Sequence, residues 1–242
     1  MKNKKLIPLL VLLFNILVNI SLTANELEIN SNKIKHDDIN KITILEGNVD
    51  ATDINNNKIF TEYAKYSKKD LYFETVGKTK VITSKGFEVN GQDIFFDNHK
   101  RIISSNNNTV IIDKDGNRVF LEMFSYFIDK NIFFSKGNIK LIDSKNNTYN
   151  LSEIYIDEAK GKIVGTDVKV FLNSKDLKIN NKNEPRLFAN SISLSENESI
   201  LEKGIFTYCK NRGKDKCPPW TLQSKKIKHN SSKKQFIMIM QF

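Results

Sequence analysis

Few residues in this 242-residue chain are of types that do covalent or metal chemistry. The two cysteines, Cys209 and Cys217, lie in Phe206-Thr207-Tyr208-Cys209 and Cys217-Pro218-Pro219-Trp220, joined by a Lys- and Gly-rich loop. In an oxidising compartment such a pair suggests a disulfide. A zinc pair is a second reading, with His229 the one histidine close enough in sequence to join it. Pairing with a cysteine of a segment beyond this sequence is a third. His36, His99 and His229 are far apart and belong to no ligand-spaced motif. No Gly-rich phosphate loop, nucleophile elbow or His-Glu-x-x-His run is present in the sequence. Acidic pairs such as Asp37-Asp38 are of the kind usually solvated in strand turns, whereas a glycosidase needs two opposed carboxylates. We therefore expect a non-enzymatic protein that uses no cofactor.

The elements that would position these residues are set by a repeat. Seven segments begin at Ile29, Ile59, Val89, Leu121, Tyr149, Leu187 and Leu222, at spacings of 30, 30, 32, 28, 38 and 35. Each is apolar at its first and sixth positions, small or apolar at its third, and carries Asp, Ser or Asn at its ninth. A repeat of this length implies stacked units that cannot bury their apolar faces alone. Steps of two between apolar positions are the strand period, and the single step of three reverses the facing once, as a bulge or sharp bend does. Short polar connectors, such as Lys68-Lys69-Asp70, Asn98-His99-Lys100 and Lys130-Asn131, call for antiparallel neighbours rather than a parallel β-helix. Gly47-Asn48-Val49, Gly77-Lys78-Thr79, Asn107-Asn108-Thr109, Gly137-Asn138-Ile139 and Gly165-Thr166-Asp167 read as turns that close the units. The fold class is all-β and antiparallel, over residues 26–205.

The sixth positions form an internal apolar stripe: Ile34, Ala64, Ile94, Tyr126, Ile154 and Ile192, continued by Ile227. Such a stripe either fills a core or lines a slide for acyl chains, held by non-directional burial worth roughly 25 cal/mol per Å². Both readings stand at this point.

Composition and the N-terminus bear on location. Lys2, Lys4 and Lys5 precede an apolar stretch from Leu6 to Leu22, and Ala24 ends it. This is the layout of a secretory signal peptide over residues 1–24. Pro8, Asn15, Asn19 and the bulky Leu22 make it imperfect, so a retained anchor is the alternative. The absence of a cysteine near the leader excludes a lipoprotein anchor. The balance of 38 Lys+Arg against 28 Asp+Glu gives a net charge of +10, which suits acidic partners such as anionic lipid or phosphorylated glycolipid. An AT-rich coding sequence yields the same excess of Lys, Asn and Ile. Export disfavours nucleic acid as the partner.

The repeat, with its Gly-Asn-Val turns, resembles the OstA-like family of lipopolysaccharide transport proteins (the LptA, LptC and LptD N-terminal group). The stretch Phe206-Thr207-Tyr208-Cys209, Cys217-Pro218-Pro219-Trp220 and Ile227-Lys228-His229-Asn230 is similar to the junction in the LptD members, where the periplasmic domain gives way to an outer-membrane barrel. The resemblance implies a β-jellyroll, open along one side, whose interior carries the acyl chains of lipopolysaccharide. It implies a periplasmic location at the outer membrane. The implied partners are an LptA-like bridge protein, paired to a strand edge of the N-terminal unit near Ile29–Ile34, and an outer-membrane barrel with its lipoprotein plug. It further implies a barrel partner for at least one cysteine; without a barrel, Cys209 and Cys217 are expected to pair with each other or stay reactive. Residues 206–235 then form the junction. Residues 236–242 fit no unit, and we expect a shifted reading frame near Lys234, which the coding DNA decides. The alternatives are a free-standing bridge protein like LptA and a structural or adhesive surface repeat protein.

Overall fold

The computed structural model describes residues 27–173, 184–209, 220–230, 232–233 and 235–239. They form nineteen strands and one short 3-10 turn, Ile128–Lys130. The strands are β1 (Glu28–Asn30), β2 (Lys33–Asp37), β3 (Ile42–Thr52), β4 (Lys58–Ser67), β5 (Tyr72–Thr75), β6 (Lys78–Ile82), β7 (Glu88–Gln92), β8 (Phe95–Asp97), β9 (Ile102–Ser105) and β10 (Thr109–Ile112). There follow β11 (Arg118–Leu121), β12 (Phe124–Phe127), β13 (Ile132–Ile142), β14 (Thr148–Asp157), β15 (Lys162–Phe171), β16 (Glu184–Leu194), β17 (Glu198–Cys209), β18 (Leu222–Asn230) and β19 (Gln235–Ile239). All pairings are antiparallel, as the short connectors require.

The sheet is folded lengthwise into two leaves. Leaf one runs β1, the second half of β3, the first half of β4, β6, β7, β10, β11, the second half of β13 and the first half of β14, and continues through β18. Leaf two runs β2, the first half of β3, the second half of β4, β5, β8, β9, β12 and the first half of β13, and ends at β19. From β1 to β18 each strand, whole or broken in two, therefore crosses from one leaf to the other at a bend. In β3 the register slips between Glu46 and Val49, where Gly47 and Asn48 have φ of 77° and 45°. In β13 it slips between Lys136 and Ile139, around Gly137 at φ 118°, a conformation side chains other than glycine rarely adopt. The Gly-Asn motifs are thus bends inside strands and not the turns that close a unit. The reason is that a +3 step and a positive-φ residue do the same job on adjacent strands: both turn the chain over so that its inner face stays inner.

Bends interrupt the backbone ladder, and buried hydroxyls complete it, because unpaired backbone groups are costly inside a protein. Thr75, Ser105 and Ser135, at thirty-residue intervals, take this role. Thr75 Oγ1 accepts from Ile94 N at 2.8 Å. Ser105 Oγ donates to the Gln92 carbonyl at 2.7 Å, and Ser135 Oγ to that of Met123 at 2.6 Å.

The ninth positions also have a task. Asp37, Asp97, Asp157 and Asn230 accept from the backbone N–H three residues on, at 2.8 to 3.0 Å, and Ser67 does so at 3.1 Å. These side chains fold the hairpins of leaf two.

The core lies between the leaves. Leaf two contributes Ala64, Phe73, Ile94, Phe96, Ile103, Tyr126 and Ile154, all buried, and leaf one contributes Ile59, Val81, Val89, Ile111 and Leu141. The first positions Ile59, Val89, Leu121 and Leu187 are buried, Ile29 and Tyr149 partly so. Ile34 departs from the stripe. It is 61 % exposed, because β2 pairs with β3 alone and is the outermost strand of leaf two.

Candidate functional site: the interior and its seam

The space between the leaves is the feature that gathers the stripe. Ala64, Ile94, Tyr126, Ile154 and Ile192 come together there with Ile227, and Ile34 stays outside. In the first half of the molecule the filling is aromatic. Phe133 stacks on Tyr126 with ring centres 4.4 Å apart, meets Phe124 at 6.2 Å, and meets Phe87 of leaf one at 6.0 Å. In the second half it is aliphatic, with side chains close against glycines. A Cβ on Gly165 would stand 2.9 Å from Leu151 Cδ2, and one on Gly204 only 2.5 Å from Ile227 Cδ1. An open concavity of about 720 Å³ lies elsewhere, on leaf one around Phe60, Lys80, Asn90 and Gln92, and none of the stripe residues lines it.

Along one side the leaves are joined by the bends. Along the other, their hairpin rims meet at a seam, and among the described residues no backbone hydrogen bond crosses it. The rim of leaf one is a series of five-residue turns, at 53–57, 83–87, 113–117 and 143–147. Three begin with Asp and end with Asn. Asp53 Oδ1 accepts from Asn55 N and Asn57 N, and its Oδ2 from Asn57 Nδ2. Asp113 and Asp143 repeat these bonds. The closing asparagine reaches on to the next turn. Asn57 Oδ1 accepts from Ser84 N, Asn117 Oδ1 from Ser144 N and Asn147 Oδ1 from Asn173 N, each at 2.8 to 2.9 Å. This ladder ties layer to layer within leaf one.

The turn at 83–87 has the same backbone and different ends. Gly86 N donates to the Thr83 carbonyl at 2.8 Å, as Asn56 N does to that of Asp53 at 2.9 Å. Thr83 replaces the aspartate and still accepts from Phe87 N at 3.2 Å. Its hydroxyl proton is then free to cross the seam, where it donates to Glu158 Oε1 at 2.7 Å. The Tyr126 hydroxyl donates to Glu158 Oε2 at 2.5 Å. Phe87 replaces the asparagine and turns inward onto Phe133. A second tie lies beside the first. Arg101 Nη2 is 3.5 Å from Asp53 Oδ2, and Arg101 Nη1 donates to Asn98 Oδ1 at 3.0 Å.

Glu158 is buried, and burial holds its carboxyl above the ordinary range, against the pull of the Tyr126 and Thr83 hydroxyls and of Lys85 and Lys114. The Tyr126 phenol is raised as well, by burial first and by Glu158 second. This arrangement closes a gap between two sheets. No metal-ligating cluster occurs among the described residues.

The remaining sequence-derived candidates are scattered. Cys209 is buried at the end of β17, its Sγ 3.5 Å from Arg186 Nη2 and 3.3 Å from Thr207 Oγ1. Cys217, most of the junction loop and the leader lie outside the described residues. His36 is exposed on β2, 3.3 Å from Thr43 Oγ1. His229, on β18, is held below the ordinary imidazole range by burial and by Lys145. Residues 235–239 form β19, paired with β18 from Lys226↔Ile239 to Asn230↔Gln235. Sequence reasoning missed Asp53, Thr83, Arg101 and Glu158. The signal for the first two was present, as a thirty-residue series of Asp or Thr followed four positions later by Asn or Phe.

No family model matches the chain, and no curated protein does. Among solved structures, the chain is similar to LptH from Pseudomonas aeruginosa, described as the LptA-homologous periplasmic component of the conserved lipopolysaccharide transport device. The two share 15 % identity over 59 % of this chain and 82 % of that one, with a TM-score of 0.26, too loose a superposition to bear on what this chain does.

Proposed function

We propose that this chain is an OstA-like carrier of lipopolysaccharide, of the kind found at the N-terminus of LptD, which takes acyl chains between its leaves and passes them toward an outer-membrane barrel. One observation carries the reading: an apolar stripe of Ala64, Ile94, Tyr126, Ile154 and Ile192 runs unbroken along a space whose one side is crossed by side chains alone. Acyl chains need such a lining and no catalytic group. The junction-like segment around Cys209 and Trp220 favours the LptD branch over a free-standing bridge protein.

In this proposal residues 1–24 are a leader, 26–205 the carrier domain and 206–235 the junction, followed by the atypical tail 236–242. The periplasm at the outer membrane is its place. An LptA-like bridge protein would pair with the outer edge of β1 or β2, each of which has β3 as its only strand neighbour among the described residues. Cys209 and Cys217 would pair with each other, or one of them with a cysteine of the barrel. The test is photo-crosslinking to lipopolysaccharide in cells, from a reactive group placed at Ile94 or Ile154. Adducts there and none from outward-facing Ser104 support the carrier. Equal or absent labelling at both overturns it.

A second reading has its own support. The interior is filled with side chains, as in a repeat protein whose role is structural. The same crosslinking separates the two.

A further inference from the structure

The turn at 83–87 is the one that departs from its series, and both departures point across the seam. Thr83 stands where Asp53, Asp113 and Asp143 stand in the other turns. A carboxylate there would face Glu158, and two carboxylates at hydrogen-bond distance do not both ionise readily. The hydroxyl keeps the acceptor that the turn needs and adds the donor that Glu158 needs. Phe87 gives up the link to the next layer and instead packs its ring on Phe133, beneath Tyr126. Phe133 and Tyr126 lie on the inner face of leaf two. The groups facing Glu158 are Thr83, Tyr126, Lys85 and Lys114, three of them from leaf one. The Asp53–Arg101 pair stands beside them.

We propose that Thr83, Glu158 and Tyr126 form a releasable clasp that holds the seam shut over the aromatic part of the interior, and that an acyl chain is admitted there when the clasp opens. This rests on the carrier reading. Acyl uptake through a seam needs the rims to part. The covalent connections are on the other side, at the bends, so the rims can part without breaking a strand pairing. What must break is the set of bonds to one carboxylate, one ring contact and the long Asp53–Arg101 pair beside them. The aromatic rings then re-pack around the chain.

The substitution Thr83→Asp tests the clasp while keeping the turn, since aspartate is the residue the sister turns use. Two quantities are read on the full-length protein: amide exchange at Glu158 N–H, which donates to the Asn131 carbonyl at 2.9 Å, and the uptake rate of dansyl-labelled undecanoic acid. Loss of a hydrogen bond to a charged group is expected to speed both by roughly tenfold or more. The double variant Thr83→Asp/Glu158→Gln, in which the amide donates to the new carboxylate, should bring both back toward wild type. Asp113→Thr makes the same chemical change, reversed, at a position whose side chain bonds only within its own turn, and should leave uptake alone. Faster exchange with unchanged uptake overturns the gate and leaves the carrier intact. Unchanged exchange overturns the clasp. No uptake by any variant, wild type included, overturns the carrier reading itself. If Thr83→Asp fails to fold, Tyr126→Phe, which removes the bond to Glu158 and a longer one to Asn131 and keeps the ring, should give a smaller acceleration of the same two rates, and no acceleration overturns the clasp.

Discussion

The turns at 53–57 and 83–87 set their first side chain against leaf two, whereas the aspartates and asparagines of 113–117 and 143–147 bond only inside leaf one. Asp53 and Thr83 meet Arg101 and Glu158 of leaf two. Asp113 and Asp143 bind their own turns, and Asn117 and Asn147 bind the next layer. One backbone turn thus serves two purposes, and the choice rests on one or two side chains. The interior changes with it, from aromatic rings under the tied part of the seam to close-fitting aliphatics and glycines beyond it. Stacking of layers and closure of the seam are therefore separable properties of this fold.

The largest effect should come from Phe133→Ala. Its ring is the contact shared by Phe87 of leaf one and by Phe124 and Tyr126 of leaf two, and truncation in such a core costs about 3–5 kcal/mol. Urea unfolding measures it. A loss near that of an exposed phenylalanine would mean that the aromatic half is not a packed core. Next, Gly204→Ala should cost about 1–3 kcal/mol by overpacking against Ile227, in the half beyond the clasp. The companion change Ile227→Val should relieve part of it; if the two losses simply add, the contact is not the cause.

Smaller still, Asn117→Ala should cost about 1 kcal/mol, since it removes one link between layers and one bond within the turn, and the groups it bound, Ser144 N and Asp113 Oδ2, can turn to water. It should leave exchange at Glu158 unaltered, because the ladder and the clasp share no bond there. A coupled change would show that stacking and closure are one property after all.

The last prediction concerns pH. The carboxyl of Glu158 is raised in the folded chain, chiefly by burial. Between its unfolded and folded values the folded chain holds a proton that the unfolded chain has released, so stability falls as pH rises through that window. Glu158→Gln lacks this slope. The melting-temperature difference, wild type minus variant, should therefore shrink as pH rises past the ordinary glutamate value of about 4.3. A difference that grows would mean that the hydroxyls of Thr83 and Tyr126 outweigh burial.

Much of this architecture was legible in the residues. The strand period and the antiparallel connections follow from local chemistry, and local chemistry is what a repeat displays most plainly. Burial of Ala64, Ile94, Tyr126, Ile154 and Ile192 followed from periodicity. Ile34 did not, because periodicity says which way a side chain points and not whether a second leaf covers it. The Gly-Asn motifs were misread as turns because positive φ suits a bend and a turn equally well. The clasp was not legible. Thr83 and Glu158 are seventy-five residues apart, and the twist of two leaves, which no spacing encodes, brings them face to face.

The asparagine links give the stack a direction. In each, an amide of the later layer donates to a carbonyl of the earlier one, never the reverse. A layer copied in after Asn147 would find an acceptor already in place and would bring its own for whatever follows. The chain can therefore be lengthened by whole modules without redesigning their contacts. The unit at 83–87 is where that modularity is interrupted, since Phe87 offers nothing to the layer after it.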